Sequence, residues 1–399
     1  MDENINNKSY IIVRQPIFDR NKNVIAYNVD LKDINNFKNI DKIFNEELKK
    51  ISYGKKIYVH FNIDLIKNNI PFALPNNKIG INIEGTLVQD ADLLEKLKQI
   101  KLKGFDLIID GFYLKDTDSS ILNLANIFTV DFRIEEMKNK KSVFNTEEQK
   151  IIKLLARDVE TESDFALALD KGFDYFQGNF FTRPDIIPIR DIPSFKLNLI
   201  KLLEELNKSD ILLSEIEEIL KRDVALTYKL FKFINSANIG TKTTVTSISH
   251  ALTLLGEIEV KKWLSIMVIS SISSDKPDEL LRLSLVRSKF CELIAEELGF
   301  KKEKSDYFLT GMFSLMDAFV GRPLAELILE LPIKEDIKIA LLGTDNQLLR
   351  TLNLVKNYEN GNWDEVQQAL IKTKLPKNKI SEFYNDAIEW SNFIDYDKT

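Results

Sequence analysis

Cysteine, histidine and glycine are scarce in this 399-residue chain, and each shortage removes support for a class of site. With Cys291 as its single cysteine, the chain cannot form an intrachain disulfide or a thiolate metal cluster. The two histidines, His60 and His250, are too few for a histidine-based metal centre. The 14 glycines form no GxGxxG or GxxxxGK[ST] phosphate loop and no Gly-x-Ser-x-Gly elbow, so serine nucleophile chemistry also has no support.

Long apolar runs and an excess of positive charge are also missing. No stretch approaches the ~20 apolar residues of a membrane span, and the N-terminus, MDENINNKSYIIVRQP, does not have the cationic start and apolar run of a signal peptide. We therefore predict a cytoplasmic protein without a membrane partner. The net charge of −6 disfavours non-specific attraction to nucleic acid, so no nucleic-acid partner is predicted.

The stretch 171–198, KGFDYFQGNFFTRPDIIPIRDIPSFKLN, separates two different patterns. Three prolines fall within ten residues of it, at Pro184, Pro188 and Pro193. Proline lacks a backbone donor and pushes the preceding residue out of helical geometry, which is typical of a domain joint. We predict one domain over residues 1–185 and a second over 186–399.

Before this joint, short apolar runs alternate with amphipathic stretches, which indicates strands and helices in turn. Strands are predicted at 10–13, 24–29, 57–61, 79–83, 107–109 and 127–132. Helices are predicted near 41–51 and 93–100, and at 147–155 and 163–171. Helices between strands imply a mainly parallel sheet with covered faces, and its closed form is a TIM-like α/β barrel.

After the joint, nearly every apolar pattern has helical spacing. Helices are predicted at 224–235, 248–255, 258–269, 278–298, 303–319, 323–331, 334–342, 346–358, 363–373 and 380–393. The second domain is therefore predicted to be all-α, with about ten helices.

The first half carries a family resemblance. LARDVETESDFALALDKGFDYFQGNFFTRP resembles the closing segment of EAL domains, the phosphodiesterases of cyclic di-GMP. RQPIFDRNKNVIAYNV, HFNIDL and LIIDGF resemble the same family in that order, so the match covers roughly residues 8–185. The resemblance implies a divalent-metal site of carboxylates and an asparagine, which activates water to attack the phosphodiester.

The presumed site departs from the family pattern. This sequence keeps candidate nucleotide or metal contacts at Asn62, Glu84, Asp110, Asp131, Glu160 and Gln177. It loses two glutamates, an aspartate, a lysine and the glutamate base at Asn28, Asn82, Gly111, Thr129 and Arg157. Asn62 and Asp110 supply about one formal charge where two dications need about four, and an arginine cannot accept a proton. We therefore predict no hydrolysis and no cofactor, with Mg²⁺ bound only if residual activity or binding survives.

The retained residues also have structural interpretations. Asn62 is equally placed to cap a helix, Asp110-Gly111 to form a strand-exit turn, and Glu160 to pair with a surface lysine. Gln177 could satisfy backbone groups in the joint. The aromatic cluster of Phe173, Tyr175, Phe176, Phe180 and Phe181 is predicted to be core or domain interface.

The second half resembles the HDOD domain, a relative of HD-superfamily phosphohydrolases that lacks their metal site. SEIEEILKRDVALTYKLFKFINSANIG and VTSISHALTLLGEIEVKKWL carry this resemblance, although Val224 stands where the family usually has proline. Neither histidine is followed by aspartate, so no second catalytic set is predicted. The segments Asn235-Ser236 and Ser284-Leu-Val-Arg287 either line a polar groove or cap helices.

The two resemblances together imply a bacterial, non-enzymatic EAL-HDOD signalling protein that contacts an unidentified protein partner. One alternative is a receptor that binds cyclic di-GMP without cleaving it. Another is a residual phosphodiesterase that depends on Asn62 and Asp110, and a last one is nucleic-acid binding with a steep salt dependence. EAL domains often pair through the barrel, so a homodimer is possible by analogy alone, and the sequence leaves the oligomeric state open.

Overall fold

The computed structural model describes residues 11–32, 48–86, 91–110, 124–133, 153–183, 213–222, 224–235, 244–273, 276–331 and 333–392. The chain divides into two compact units. One comprises Met1–Asp185 with Pro376–Asn385, and the other comprises Ile186–Leu375 with Asp386–Thr399. Within the described residues, no helix has both the length and the apolar character that crossing a membrane requires.

The first unit is built on eight strands that close into a barrel in sequence order. They are β1 (Ile11–Phe18), β2 (Val24–Lys32), β3 (Lys56–His60), β4 (Ile79–Glu84), β5 (Leu107–Asp110), β6 (Ile127–Asp131), β7 (Lys153–Arg157) and β8 (Tyr175–Phe176). β1 runs antiparallel to both of its neighbours, and the remaining neighbours are parallel. The predicted TIM-like α/β class is therefore confirmed.

Two of the four described helices between the strands of the first unit end where a glycine follows them. The four helices are α1 (Leu48–Ile51), α2 (Ile63–Lys67), α3 (Ala91–Leu102) and α4 (Glu162–Asp170), with 3₁₀ turns at Ile70–Ala73 and Phe180–Thr182. Gly104 and Gly172 have φ of 86° and 89°, so each supplies the left-handed residue that ends a helix. Thr161 caps α4, because its side chain accepts a hydrogen bond from Asp164 N.

One predicted helix is wrong where the structure describes it. Residues 153–155 of the predicted helix 147–155 belong to β7, and residues 147–152 lie outside the described part of the chain. The apolar run IIKLLA has no alternation, and periodicity alone does not separate such a buried parallel strand from a short helix. The two-residue strand β8 is too short to give a pattern.

The predicted aromatic cluster lies in the core of the first unit. Phe176 and Phe180 are fully buried, and both rings pack against Phe165 with centroid distances of 4.5 and 4.8 Å. Phe180 also meets Phe18 of β1 at 5.1 Å. These contacts tie the chain after β8 to α4 and to the first strand.

The second unit is helical. Its described helices are α5 (Leu213–Arg222), α6 (Val224–Ile234), α7 (Ile248–Ile272), α8 (Asp278–Glu297), α9 (Lys304–Phe313), α10 (Met316–Val320), α11 (Leu324–Glu330), α12 (Glu335–Leu341), α13 (Gln347–Glu359) and α14 (Trp363–Thr373). A last helix, α15 (Lys377–Asn392), belongs to the first unit up to Asn385 and to the second unit from Asp386. The two predicted helices 248–255 and 258–269 form α7, which is interrupted at Gly256 with φ 76° and ψ 162°. The predicted helix 303–319 is divided into α9 and α10. The three prolines of the joint lie outside the described residues.

Candidate functional site

An apolar layer fills part of the barrel interior. Buried side chains from strands all around the barrel contact one another. Side chains on opposite strands can meet only inside a closed barrel, so these residues point into its interior. The layer consists of Ile17, Ala26, Tyr58, Ile108, Ile127 and Leu155, with Ile25 and Tyr175 packed against it. Gly80 also faces this layer, since a Cβ built on it would lie 2.3 Å from the Tyr58 ring.

The next layer, toward the carboxyl ends of the parallel strands, is entirely polar. Side chains two residues apart on a strand share a face, so the layer is found by moving two positions along each strand. It consists of Gln15, Asn28, His60, Asn82, Asp110, Thr129, Arg157 and Gln177. Six of these positions were singled out from the sequence, and the barrel brings them together at one level.

Three hydrogen-bonded pairs organise this polar layer. Asn82 Nδ2 donates to Asn28 Oδ1 at 3.1 Å between β4 and β2, and Gln177 Nε2 donates to Gln15 Oε1. The Arg157 guanidinium at the end of β7 donates to Asp110 Oδ2 at the end of β5, with an N–O distance of 2.5 Å. The two formal charges of that last pair cancel.

Arginines also contact the carboxylates nearer the barrel mouth. Arg133 donates to both Asp131 oxygens, at 3.1 and 2.9 Å, and its Nη2 lies 3.0 Å from Asp158 Oδ2. The side-chain hydrogen bonds from Arg133 hold the pKa of Asp131 below its ordinary value. Arg183 Nη2 lies 2.8 Å from Glu160 Oε2, so the predicted partner of Glu160 is an arginine and not a lysine.

Two of the sequence-predicted residues stand apart from these pairs. Asn62 caps α2, because its Oδ1 accepts a hydrogen bond from Leu65 N at 2.9 Å. Glu84 is exposed at the end of β4, where it lies opposite Asp110 in register. Gly111 lies outside the described residues.

Four residues at this end of the barrel were not predicted from the sequence: Gln15, Arg133, Asp158 and Arg183. Arg133 and Asp158 carry a local signal, because Arg133 lies two residues after Asp131 and Asp158 directly follows Arg157, and both of these residues had been singled out. Gln15 has no such signal, since its partner Gln177 is 162 residues away in sequence.

The uncharged side chains of the polar layer include three buried oxygens for which the described part of the chain supplies no hydrogen-bond partner. They are Asn82 Oδ1, Thr129 Oγ1 and Gln177 Oε1, and all three residues are 2% exposed. Buried polar atoms are nearly always hydrogen-bonded in folded proteins. These oxygens therefore offer acceptor positions to N–H or O–H donors that enter from the mouth.

The donors present do not fit a divalent metal ion. Such ions prefer several charged oxygen ligands, whereas the polar layer has one carboxylate, and that carboxylate is engaged by Arg157. Among the described residues, no three His, Cys, Asp or Glu side chains form a group that could hold a metal.

The helical unit contains a buried ion pair of its own. Arg287 on α8 donates to Glu359 on α13 at 2.6, 3.0 and 3.2 Å and to Ser314 Oγ at 2.9 Å, and Ser284 is also fully buried. Ser284 and Arg287 therefore neither line an open groove nor cap a helix. Asn235 bridges to the backbone of Val245 by two hydrogen bonds of 2.7 and 2.9 Å, and Ser236 lies outside the described residues.

Cys291 and the two histidines occupy unremarkable positions. Cys291 is buried in α8, and this burial raises the pKa of its thiol. His250 is exposed in the first turn of α7, where its backbone N–H donates to Ser247 Oγ at 3.2 Å. His60 ends β3 beside Asn82 and belongs to the polar layer.

Glu292 of α8 is buried beside two lysines. Its carboxylate accepts hydrogen bonds from Lys262 Nζ and from Lys289 Nζ, the latter at 2.9 Å. Burial by itself would raise the pKa of Glu292, but the two ammonium groups outweigh burial and lower it below its ordinary value.

We expect the contribution of Glu292 to stability to disappear in acid. A carboxyl group whose pKa is lowered by folding stabilises the fold above its unfolded pKa, and this is lost as pH falls through the folded value. At pH 7 the wild type should exceed Glu292→Gln by about 2 kcal/mol in free energy of unfolding. The difference should shrink as pH falls below 4.5.

Urea titrations followed by tryptophan fluorescence measure this difference. All three tryptophans, Trp263, Trp363 and Trp390, belong to the second unit, so the signal reports that unit. If the wild type and Glu292→Gln differ by the same free energy of unfolding at neutral and acidic pH, the carboxylate of Glu292 does not stabilise the fold through its charge.

Comparisons with known proteins identify a domain family, two relatives that align over most of the chain, and solved structures. The HDOD domain family matches residues 192–321. The chain is 30% identical to the Bacillus subtilis protein YuxH over 95% of this chain and 97% of that protein. It is 27% identical to CdgJ of Vibrio cholerae, named a cyclic di-GMP phosphodiesterase, over 96% of this chain and 92% of that protein. The EAL domain of Mycobacterium smegmatis DcpA is 17% identical, with a TM-score of 0.33, over 43% of this chain and 90% of that domain. The chain belongs to the family of two-domain proteins that join an EAL domain to an HDOD domain.

Proposed function

We propose that this chain is a non-catalytic bacterial signalling protein of the cytoplasm, which acts through protein-protein contacts. Residues 1–185 form an EAL domain that does not hydrolyse cyclic di-GMP, and residues 186–399 form the HDOD domain that presents the partner surface. The observation that carries the proposal is the contact of Arg157 with Asp110 at 2.5 Å.

This contact opposes phosphodiester hydrolysis in two ways. A guanidinium cannot accept a proton from water, because it stays protonated under all ordinary conditions. It also occupies the carboxylate oxygen of Asp110 that a divalent cation would need as a ligand. The neighbouring Asn28 and Asn82 are neutral amides that bond to each other and add no charge.

A turnover assay tests the absence of hydrolysis. The purified full-length chain is incubated at high concentration with cyclic di-GMP and Mg²⁺ or Mn²⁺, and the linear dinucleotide is separated by chromatography. Because the Vibrio cholerae relative is named a cyclic di-GMP phosphodiesterase, it serves as the positive control. We expect no product above the enzyme-free rate. Metal-dependent product that is lost when Asn62 and Asp110 are both replaced would contradict the proposal.

A second candidate is a receptor that binds cyclic di-GMP without cleaving it. The three buried oxygens of Asn82, Thr129 and Gln177 support it, because the guanine edge presents N–H donors. Arg157 adds a positive group at the same level, which suits a phosphate.

Calorimetry with intact cyclic di-GMP tests the receptor hypothesis. If these oxygens bind the nucleotide, Thr129→Val should weaken binding roughly 2- to 10-fold, since it removes one hydrogen bond without a change of shape. Thr351→Val, a buried threonine in the second unit, is the matched control and should bind as the wild type does. If the wild type shows no heat of binding, the receptor hypothesis fails and the protein-contact function is the remaining proposal.

A further inference from the structure

Asp110 and Arg157 stand apart from the other members of the polar layer. Of its eight described side chains, these two carry a formal charge when His60 is neutral, and the remaining six are amides, a hydroxyl and an imidazole. The charges lie 2.5 Å apart, and the Asp110 side chain is 14% exposed. A carboxylate this buried requires a nearby cation, and Arg157 provides it.

The pair spans the barrel interior. Asp110 ends β5 and Arg157 ends β7, while β6 lies between these two strands. At this level β6 presents Thr129, which is buried and short, so the long arginine side chain can extend past it to β5. The position of Thr129 therefore complements that of Arg157, and the guanidinium cross-links two strands that share no backbone hydrogen bonds.

We propose that the Arg157 guanidinium is a permanent internal cation, which occupies the polar layer of this barrel in place of a divalent metal. It neutralises Asp110, joins β5 to β7 and excludes Mg²⁺ and Mn²⁺. A dication would have to displace the guanidinium from Asp110, and the fixed positive charge would remain nearby to repel it. The amides of Asn28 and Asn82 are weak ligands that would not offset this cost.

This inference deepens the proposed function but can fail separately from it. A chain that binds Mn²⁺ without hydrolysing cyclic di-GMP would overturn the inference and leave the proposed function intact. A chain that binds Mn²⁺ and hydrolyses the nucleotide would overturn both.

The test is Mn²⁺ binding by the full-length chain, followed by thermal unfolding and by the electron paramagnetic resonance signal of free Mn²⁺. The wild type should show no shift in Tm and no bound Mn²⁺. Arg157→Glu replaces the cation with a second carboxylate beside Asp110, so it should unfold at lower temperature without metal. Mn²⁺ at about 100 times its Kd should then raise its Tm by about 5–10 °C.

Two further variants keep the test decisive. Arg157→Gln removes the cation without adding charge, and its Mn²⁺ response should exceed that of the wild type, which tests the inference even if Arg157→Glu does not fold. Where both variants fold, the response of Arg157→Gln should be the smaller one. Lys56→Glu makes the same charge change beside Asp106 at the opposite end of the barrel, and it should gain no Mn²⁺ response.

Three results would overturn the inference. One is stoichiometric Mn²⁺ binding by the wild type, which would show that the guanidinium does not exclude the metal. Another is the absence of any Mn²⁺ response in both folded Arg157 variants. The last is an equal response in Lys56→Glu, which would reduce the effect to net charge.

Discussion

Replacing Gly178 with alanine is expected to destabilise the barrel strongly and to leave the stability of the helical unit unchanged. Gly178 has φ of 149°, and a Cβ at this position would lie 2.1 Å from Val159 O and 2.5 Å from Val159 N. Both are backbone atoms, so the strand-end loop itself must move. Backbone strain and overpacking together should cost about 3–5 kcal/mol, which is a large part of the stability of an ordinary domain.

The same close approach positions the polar layer. Val159 N donates to Gln177 O at 3.1 Å, and Phe180 N donates to Val159 O at 3.1 Å, so the chain on either side of Gly178 is held against the loop after β7. The Gln177 side chain reaches Gln15 from this position. A residue with a side chain at 178 would therefore displace Gln177 as well as lower stability.

Hydrogen exchange of peptides from β7 and β8 measures the effect on the barrel, and tryptophan fluorescence reports the helical unit in the same sample. Gly172→Ala is the matched control, because Gly172 also has a positive φ, of 89°, but has open space where the Cβ would stand. Gly172→Ala should lower the free energy of unfolding by about 1–2 kcal/mol. Equal losses of protection in the two variants would show that the contact with Val159 is unimportant.

Replacing Glu359 with alanine is expected to destabilise the helical unit by about 3–5 kcal/mol. Glu359 accepts three hydrogen-bond contacts from Arg287, and both side chains are 8% exposed. Without Glu359, the guanidinium remains buried with Ser314 as its described partner. A buried charge without its partner destabilises a fold far more than the intact ion pair stabilises it relative to apolar residues.

Urea unfolding followed by tryptophan fluorescence measures this cost. The double variant Arg287→Met with Glu359→Leu should recover much of the loss, since it removes the stranded charge together with its partner. Asp345→Ala breaks the exposed pair with Arg350 and serves as the control, with no change expected beyond experimental error. A double variant as unstable as Glu359→Ala would show that packing, and not the buried charge, accounts for the loss.

Elements whose ends are marked by local features of the sequence were predicted accurately, and elements without such features were not. The helix α4 was predicted to within one residue at each end, because its start and its glycine stop are local features. The strand β7 was missed, because its buried apolar run has no period that separates it from a helix. The gap between the predicted helices 248–255 and 258–269 contains Gly256, where α7 is interrupted, although the helix resumes directly after it.

The candidate site shows a similar division. The absence of a carboxylate at Asn28, Asn82 and Arg157 could be interpreted position by position, because charge and protonation belong to the residue itself. The partners of those residues could not, since Asn28 and Asn82 are 54 residues apart and Asp110 and Arg157 are 47 apart. The structural interpretation of Glu160 was a pair with a surface lysine, whereas its contact is Arg183, which lies 23 residues further along the chain.

The sequence by itself determined the α/β and all-α classes of the two halves, most helix ends, and which charged groups the barrel mouth can contain. Those properties depend on local periodicity, on capping residues and on side-chain chemistry. The tertiary structure alone decided that eight polar side chains share one layer and that Arg157 lies on Asp110. Strand register and barrel closure bring together residues that are distant in sequence, and no local sequence pattern indicates which of these residues will be in contact.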